Sequence, residues 1–202
     1  MTSTRASTRT AAMIPTPRLM TADDLYANPL PDARTELVRG RLIVREPARL
    51  RHGDVAARAL IAISEYLAAD RRDRNATVAR GRVVAAETGF TLQRNPDTVR
   101  APDVAYIRAD RWPVEPETGY AEFAPDLVVE VRSPSDRPGA LLAKVADWLS
   151  AGTLLVWTID PKRRTARVYR ADGTETELTA DDALVGENVL PGFRERLSTL
   201  VD

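Results

Sequence analysis

Apolar and polar positions change rhythm several times along this chain, and each change marks an element. Over residues 52–69, Val55, Ala59, Ile63, Tyr66 and Leu67 recur at helical spacing. A second helix is predicted over 138–149, where Leu141, Lys144, Val145 and Trp148 fall near one face, and Gly152 supplies its stop. Short apolar runs predict strands over 76–85, 89–92, 103–107, 126–131, 154–159 and 164–170. Residues 35–44 read as a hairpin turning near Arg39-Gly40, and Ala171-Asp172-Gly173 turns into one more extended piece. Thr21 is placed to cap a short helix with Asp23 and Asp24 in its first turn. A short amphipathic segment over 191–200 closes the chain. With no internal repeat and no linker, the pattern predicts one mixed α/β domain over 18–202, a central sheet with two main helices. Residues 1–17 are rich in Thr, Ser, Ala and Arg and lack acidic residues, which reads as a disordered tail.

One strand breaks its own pattern. Leu127, Val128, Val129 and Val131 suit the middle of a sheet, yet Glu130 stands among them, and Ser133-Pro134-Ser135-Asp136 ends the run abruptly. A buried, unpaired carboxylate costs several kcal/mol, so it is expected to be paired, protonated or bound to a metal. Asp103 opens another apolar run, after Pro102. Two carboxylates delivered by two strands are the donor set expected of a divalent-metal site. Lys144, in or beside the apolar stripe of the second helix, can reach toward the end of the strand bearing Glu130. Two strand carboxylates and a nearby cation are what metal-assisted phosphodiester cleavage uses.

Composition narrows the chemistry. The 202 residues contain no cysteine, which excludes disulfides, thiolate catalysis and cysteine-based zinc sites. The single histidine, His52, excludes a multi-histidine metal site, so a metal would be held chiefly by oxygen, as suits Mg2+ or Mn2+. Twenty-nine basic and 29 acidic residues cancel, so there is no global attraction to nucleic acid. Only Lys144 and Lys162 are lysines, which gives the position of each added interest. No apolar run reaches the roughly 20 residues that span a bilayer; the expectation is a cytoplasmic protein without a membrane partner.

The order Pro102-Asp103, then Glu130-Val131-Arg132, resembles the PD-(D/E)XK nuclease superfamily, with arginine where the motif has lysine. More closely, the chain resembles the Uma-two family, described as putative restriction endonucleases. The resemblance rests on Thr35-Glu36-Leu37-Val38-Arg39-Gly40, His52 opening a helix, Pro102-Asp103-Val104-Ala105, and the run from Pro125 to Ser135. It continues through Lys144, Trp157-Thr158-Ile159-Asp160-Pro161 and Leu190-Pro191-Gly192-Phe193, covering roughly residues 20–200. Arg41, Trp148 and the stretch Thr153-Leu154-Leu155-Val156 depart from the family pattern. The resemblance implies a restriction-endonuclease-like α/β fold, with a central mixed sheet flanked by helices. It makes Asp103 and Glu130 the metal ligands and Lys144 the migrated catalytic lysine, with Glu36 the additional acid. It implies hydrolysis of nucleic acid, DNA above all, with Mg2+ or Mn2+, and it is compatible with a homodimer that cuts both strands.

Each residue has a plainer reading beside the functional one. Asp103 could cap a turn, Glu130 could pair with an arginine, and Lys144 could snorkel to water. Arg132 is better read as a salt-bridge partner, Asp126 as a cap at the strand entry, and Asp160-Pro161 as a strand-ending turn. Glu36 could be an exposed hairpin residue, and His52 an ordinary residue of the helix start. Arginines 49, 51, 58, 71, 72 and 74 read as solvated surface before they read as a phosphate-contacting one. Two other functions stay open: a non-catalytic nucleic-acid- or protein-binding module that keeps the fold, and a metal-dependent hydrolase of a small phosphorylated substrate.

Overall fold

Alternation in two strands decides which face of the main sheet meets which helix. The computed structural model describes residues 18–72, 81–85, 88–114, 118–134 and 137–202; the tail expected over 1–17 lies outside them. The first half of the chain forms α1 (Ala22–Ala27), β1 (Arg34–Val38), β2 (Arg41–Arg45), α2 (Leu50–Arg72), β3 (Arg82–Ala85), β4 (Phe90–Gln93), β5 (Thr98–Arg100) and β6 (Val104–Ile107). The second forms β7 (Leu127–Val131), α3 (Pro138–Ser150), β8 (Leu155–Asp160), β9 (Thr165–Arg170), β10 (Glu175–Thr179), β11 (Ala183–Val185), β12 (Arg194–Arg196) and α4 (Leu197–Val201).

The main sheet runs β10-β9-β8-β7-β6-β3. It is mixed: β7 and β8 are parallel, joined through α3, and the other pairs are antiparallel. Leu127, Val129 and Val131 of β7, with Val104 and Tyr106 of β6, pack with Val55, Ala59, Ile63 and Leu67 of α2. On the opposite face, Val128, Ala105, Ile107 and Val156 pack with Val145 and Trp148 of α3. Glu130 has the parity of Val128, so it points toward α3. The register sets Val104 against Val129, which puts Asp103 beside Glu130 on that same face.

The helices end as their sequences direct. Pro138 occupies the first turn of α3, and Gly152, at φ 103°, follows its end. The amides of Gly152 and Thr153 bond back to the carbonyls of Leu149 and Trp148, closing a Schellman motif. Thr21 and Asp24 form a reciprocal capping box on α1. Among the described residues no helix is long and apolar enough to cross a membrane.

Three features differ from the sequence reading. The strand predicted over 76–85 is described only as β3, because residues 73–80 lie outside the described part. The 35–44 hairpin does not join the central sheet. It belongs to a second, four-stranded sheet ordered β2-β1-β5-β4, and β5, only three residues long, was not foreseen. The hairpin turn itself is as expected: Arg39 (φ 49°) and Gly40 (φ 73°) are both left-handed, as a two-residue type I′ turn requires. Third, the closing segment is β12 followed by α4, with β12 paired to β11.

Candidate active site

Asp103, Glu130, Lys144, Glu36 and His52 all line one cavity of about 430 Å³, set between the second sheet, the start of α2 and α3. The four residues singled out as site candidates are therefore brought together, and His52 joins them.

Glu130 is 4% exposed and both of its oxygens are engaged. Oε2 accepts from the Lys144 ammonium at 2.8 Å, and Oε1 accepts from the Trp148 indole N–H at 2.8 Å. Lys144 and Trp148 are four residues apart on α3, so one helix face delivers both donors. Burial pushes the Glu130 carboxyl up to about 7; Lys144 opposes the rise, and the charges of Asp103 and Glu36 add to it.

Asp103 accepts from the Val131 amide at 2.7 Å, and its other oxygen lies 3.0 Å from Nε2 of His52. Burial pushes this carboxyl upward, but His52, Lys144 and the Val131 amide outweigh it and hold it below the usual carboxylate value.

Lys144 is 9% exposed, and three acceptors surround its ammonium. They are Glu130 Oε2 at 2.8 Å, Glu36 Oε1 at 3.0 Å and the Ala101 carbonyl at 3.0 Å. Burial would lower its pKa, but the carboxylates of Glu130, Glu36 and Asp103 raise it, so the ammonium stays charged.

Glu36 is not the exposed hairpin residue of the plainer reading; it is 3% exposed. Its Oε2 accepts from Arg45 at 2.7 and 3.1 Å and from Arg100 at 2.9 Å, and its Oε1 faces Lys144 and the Ala101 amide. Burial pushes its carboxyl up, but Lys144, Arg100 and Arg45 prevail and hold it at about 2.

The remaining candidates sort by what they touch. Arg132 pairs with Asp160 at 2.8 Å, and Asp160 also caps the turn by accepting from the amides of Lys162 and Arg163. Asp126 is fully buried at the entry to β7, where it accepts from the Arg108 amide and from Arg111. None of these lines the cavity. Arg51 and Arg58 bond carbonyls of the C-terminal helix, at Val201 and Thr199. The side chains of residues 71 and 72, and all of residue 74, lie outside the described part. Sequence reasoning missed Trp148 as a partner of Glu130, and missed Arg45 and Arg100, with Asp147 behind Arg100, as the surroundings of Glu36. The one available signal for Arg100 was a cation in an apolar neighbourhood, Thr98-Val99-Arg100.

Residues 22–199 match a known family over most of the chain. The chain belongs to the Uma2 family. Its printed description is "putative restriction endonuclease". The fold agrees: the chain superposes with TM-score 0.74 on the crystal structure, at 1.96 Å resolution, of a "putative nuclease belonging to DUF820" from Anabaena variabilis ATCC 29413. The two are 22% identical over 90% of this chain and 97% of that one. At this identity the likeness is one of fold: a mixed central sheet with helices on its faces. No protein of curated function matches. Uma2 membership and the structural match thus give the family and the architecture.

Proposed function

We propose that this chain is a metal-dependent endonuclease that hydrolyses phosphodiester bonds in nucleic acid, DNA first among them. The observation that carries the reading is the convergence of Asp103, Glu130 and Lys144 on one cavity, beside each other on adjacent strands and the facing helix.

The donor chemistry fits a hard dication. Two carboxylates share a face, and burial, together with the charges of Asp103 and Glu36, raises the cost of ionising Glu130. Among the described residues no three acidic or histidine side chains group closely enough to hold an ion alone. Held by two carboxylates, Mg2+ would keep several waters and bind together with a substrate phosphate, as it typically does. The three acids also differ in what already faces them. Glu36 meets three cations, Glu130 meets one cation, Lys144, and the Trp148 indole N–H, and Asp103 meets a histidine and an amide. Asp103 and Glu130 are accordingly the ligands, and Mg2+ or Mn2+ is the ion.

Bound there, the ion would supply Lewis-acid stabilisation of charge on the phosphate and lower the pKa of a water. The chain's own residues do the rest. Trp148 and Lys144 fix the Glu130 carboxylate from two sides, and His52 and the Val131 amide fix Asp103. Lys144 presents a pre-oriented positive charge where negative charge develops on the reacting phosphate.

The test is cleavage of supercoiled plasmid and linear duplex with Mg2+ or Mn2+, alongside Mn2+ titration calorimetry. Nicking by the wild type, lost in Glu130→Gln and Asp103→Asn together with Mn2+ affinity, supports the reading. A second reading has its own observation: Asp103 and Glu130 are already satisfied by partners within the chain, as in a binding module that keeps the fold without the chemistry. It predicts nucleic-acid or protein binding that is indifferent to Mn2+ and to Glu130→Gln.

A further inference from the structure

Glu36 is the acid that a motif-based reading would add to the metal site, and its surroundings argue against that. Each of its oxygens already faces cations: Oε2 meets the guanidinium groups of Arg45 and Arg100, and Oε1 lies 3.0 Å from the Lys144 ammonium. A dication placed against this carboxylate would be repelled by three positive charges.

Arg100 explains how Glu36 is held. It is 5% exposed and does not line the cavity. One side of its guanidinium meets Glu36 at 2.9 Å, and the other meets Asp147 at 2.5 and 3.0 Å. Asp147 is three residues after Lys144 on α3, so Arg100 ties Glu36 to the helix that carries the lysine. The lysine in turn has three acceptors for three N–H donors, and one of them is Glu36.

We propose that Glu36 and Arg100 are positioning residues for Lys144: Arg100 fixes the Glu36 carboxylate, and Glu36 fixes the ammonium against Glu130 instead of binding the metal ion. A lysine side chain carries four rotatable bonds, and loss of one acceptor frees it to swing off the line to Glu130. The inference rests on the nuclease reading for what Lys144 does, and on geometry alone for how Lys144 is held.

The test uses the full chain with Glu36→Gln and Arg100→Lys, the second retaining charge while reaching only one of the two carboxylates. Lys144 and Lys162 are the only lysines, so a lysine-selective 1H–15N spectrum of the metal-free protein contains just two ammonium signals. In the wild type, Lys144, held by three acceptors, is expected to give a slowly exchanging signal. In both variants that signal is expected to broaden away, with Mn2+ affinity at the wild-type level. Cleavage is expected to fall about 10- to 100-fold in kcat at unchanged KM, the usual effect of losing an orienting partner.

A drop in Mn2+ affinity in Glu36→Gln as large as that in Asp103→Asn, where a proposed ligand is lost, overturns the proposal. So does a Lys144 signal that survives Glu36→Gln. If Glu36→Gln does not fold, Arg100→Lys decides by the same two readouts. If the wild type neither binds Mn2+ nor cleaves, the nuclease reading falls, and the ammonium signal alone upholds or overturns the clamp.

Discussion

Glu36 links the site to stability in a way that acid titration can expose. Its carboxyl ordinarily titrates at 4.5 and is held at about 2 in the fold. A depressed pKa contributes stability that is fully present above the unfolded value and is lost as pH falls through the folded one. The gap from 4.5 to about 2 corresponds to about 3 kcal/mol of stability at neutral pH. Glu36→Gln removes the carboxylate that takes part in these pairs, so the variant should be less stable than the wild type by about that amount near pH 7. The difference should narrow in acid, with about 2 kcal/mol of it gone by about pH 3. Urea unfolding of both proteins, followed by the fluorescence of buried Trp148 and Trp157, measures the difference at each pH. A difference that stays flat from neutral to acid pH would refute the reasoning, because it would show that the charge of Glu36 is not what the cations stabilise.

Three further outcomes follow from the same structure. Glu130 has the opposite sign: its folded pKa is raised from 4.5 to about 7, so its contribution is full below 4.5 and is lost as pH rises through about 7. Glu130→Gln should abolish cleavage and remove that decline from the wild-type stability profile, as urea unfolding across this range would show. Trp148→Phe keeps the ring packed near Phe90 but leaves Glu130 Oε1 without its donor; a loss of about 1–3 kcal/mol is expected by chemical denaturation. Asp126→Asn should unfold at lower urea, because it weakens a fully buried acceptor of Arg108 and Arg111, while Mn2+ affinity measured by calorimetry stays unchanged.

Much of the candidate site was legible because a charge in an apolar run is conspicuous. Glu130 within Leu127–Val131 and Lys144 on the stripe of α3 announced themselves by breaking their local patterns. Glu36 was harder to weigh. A hairpin acid looks solvent-exposed in sequence, and only the second sheet, which packs the hairpin against β5, buries it beside Arg100. Trp148 read as core, and core it is, but nothing in helical periodicity says that an indole N–H finds a carboxylate on a neighbouring strand.

The sequence by itself determined the local elements and the face each presents, because period and capping are short-range properties. The spacing of Val55, Ala59 and Ile63 makes a helix, two left-handed residues at Arg39-Gly40 make a hairpin, and Pro138 and Gly152 bound α3. The parity that puts Glu130 and Val128 on one side of β7 is also local. Tertiary structure decided which elements become neighbours. The antiparallel register of β6 on β7 sets Asp103 beside Glu130, and the parallel crossover lays α3 over both. The second sheet then brings Glu36 and Arg100 to Lys144 from more than 40 residues away in the chain. Those distances are set by packing, and electrostatics follows from them: the same carboxyl group stands at about 2 in Glu36 and at about 7 in Glu130 because one is ringed by cations and the other is buried against fellow acids.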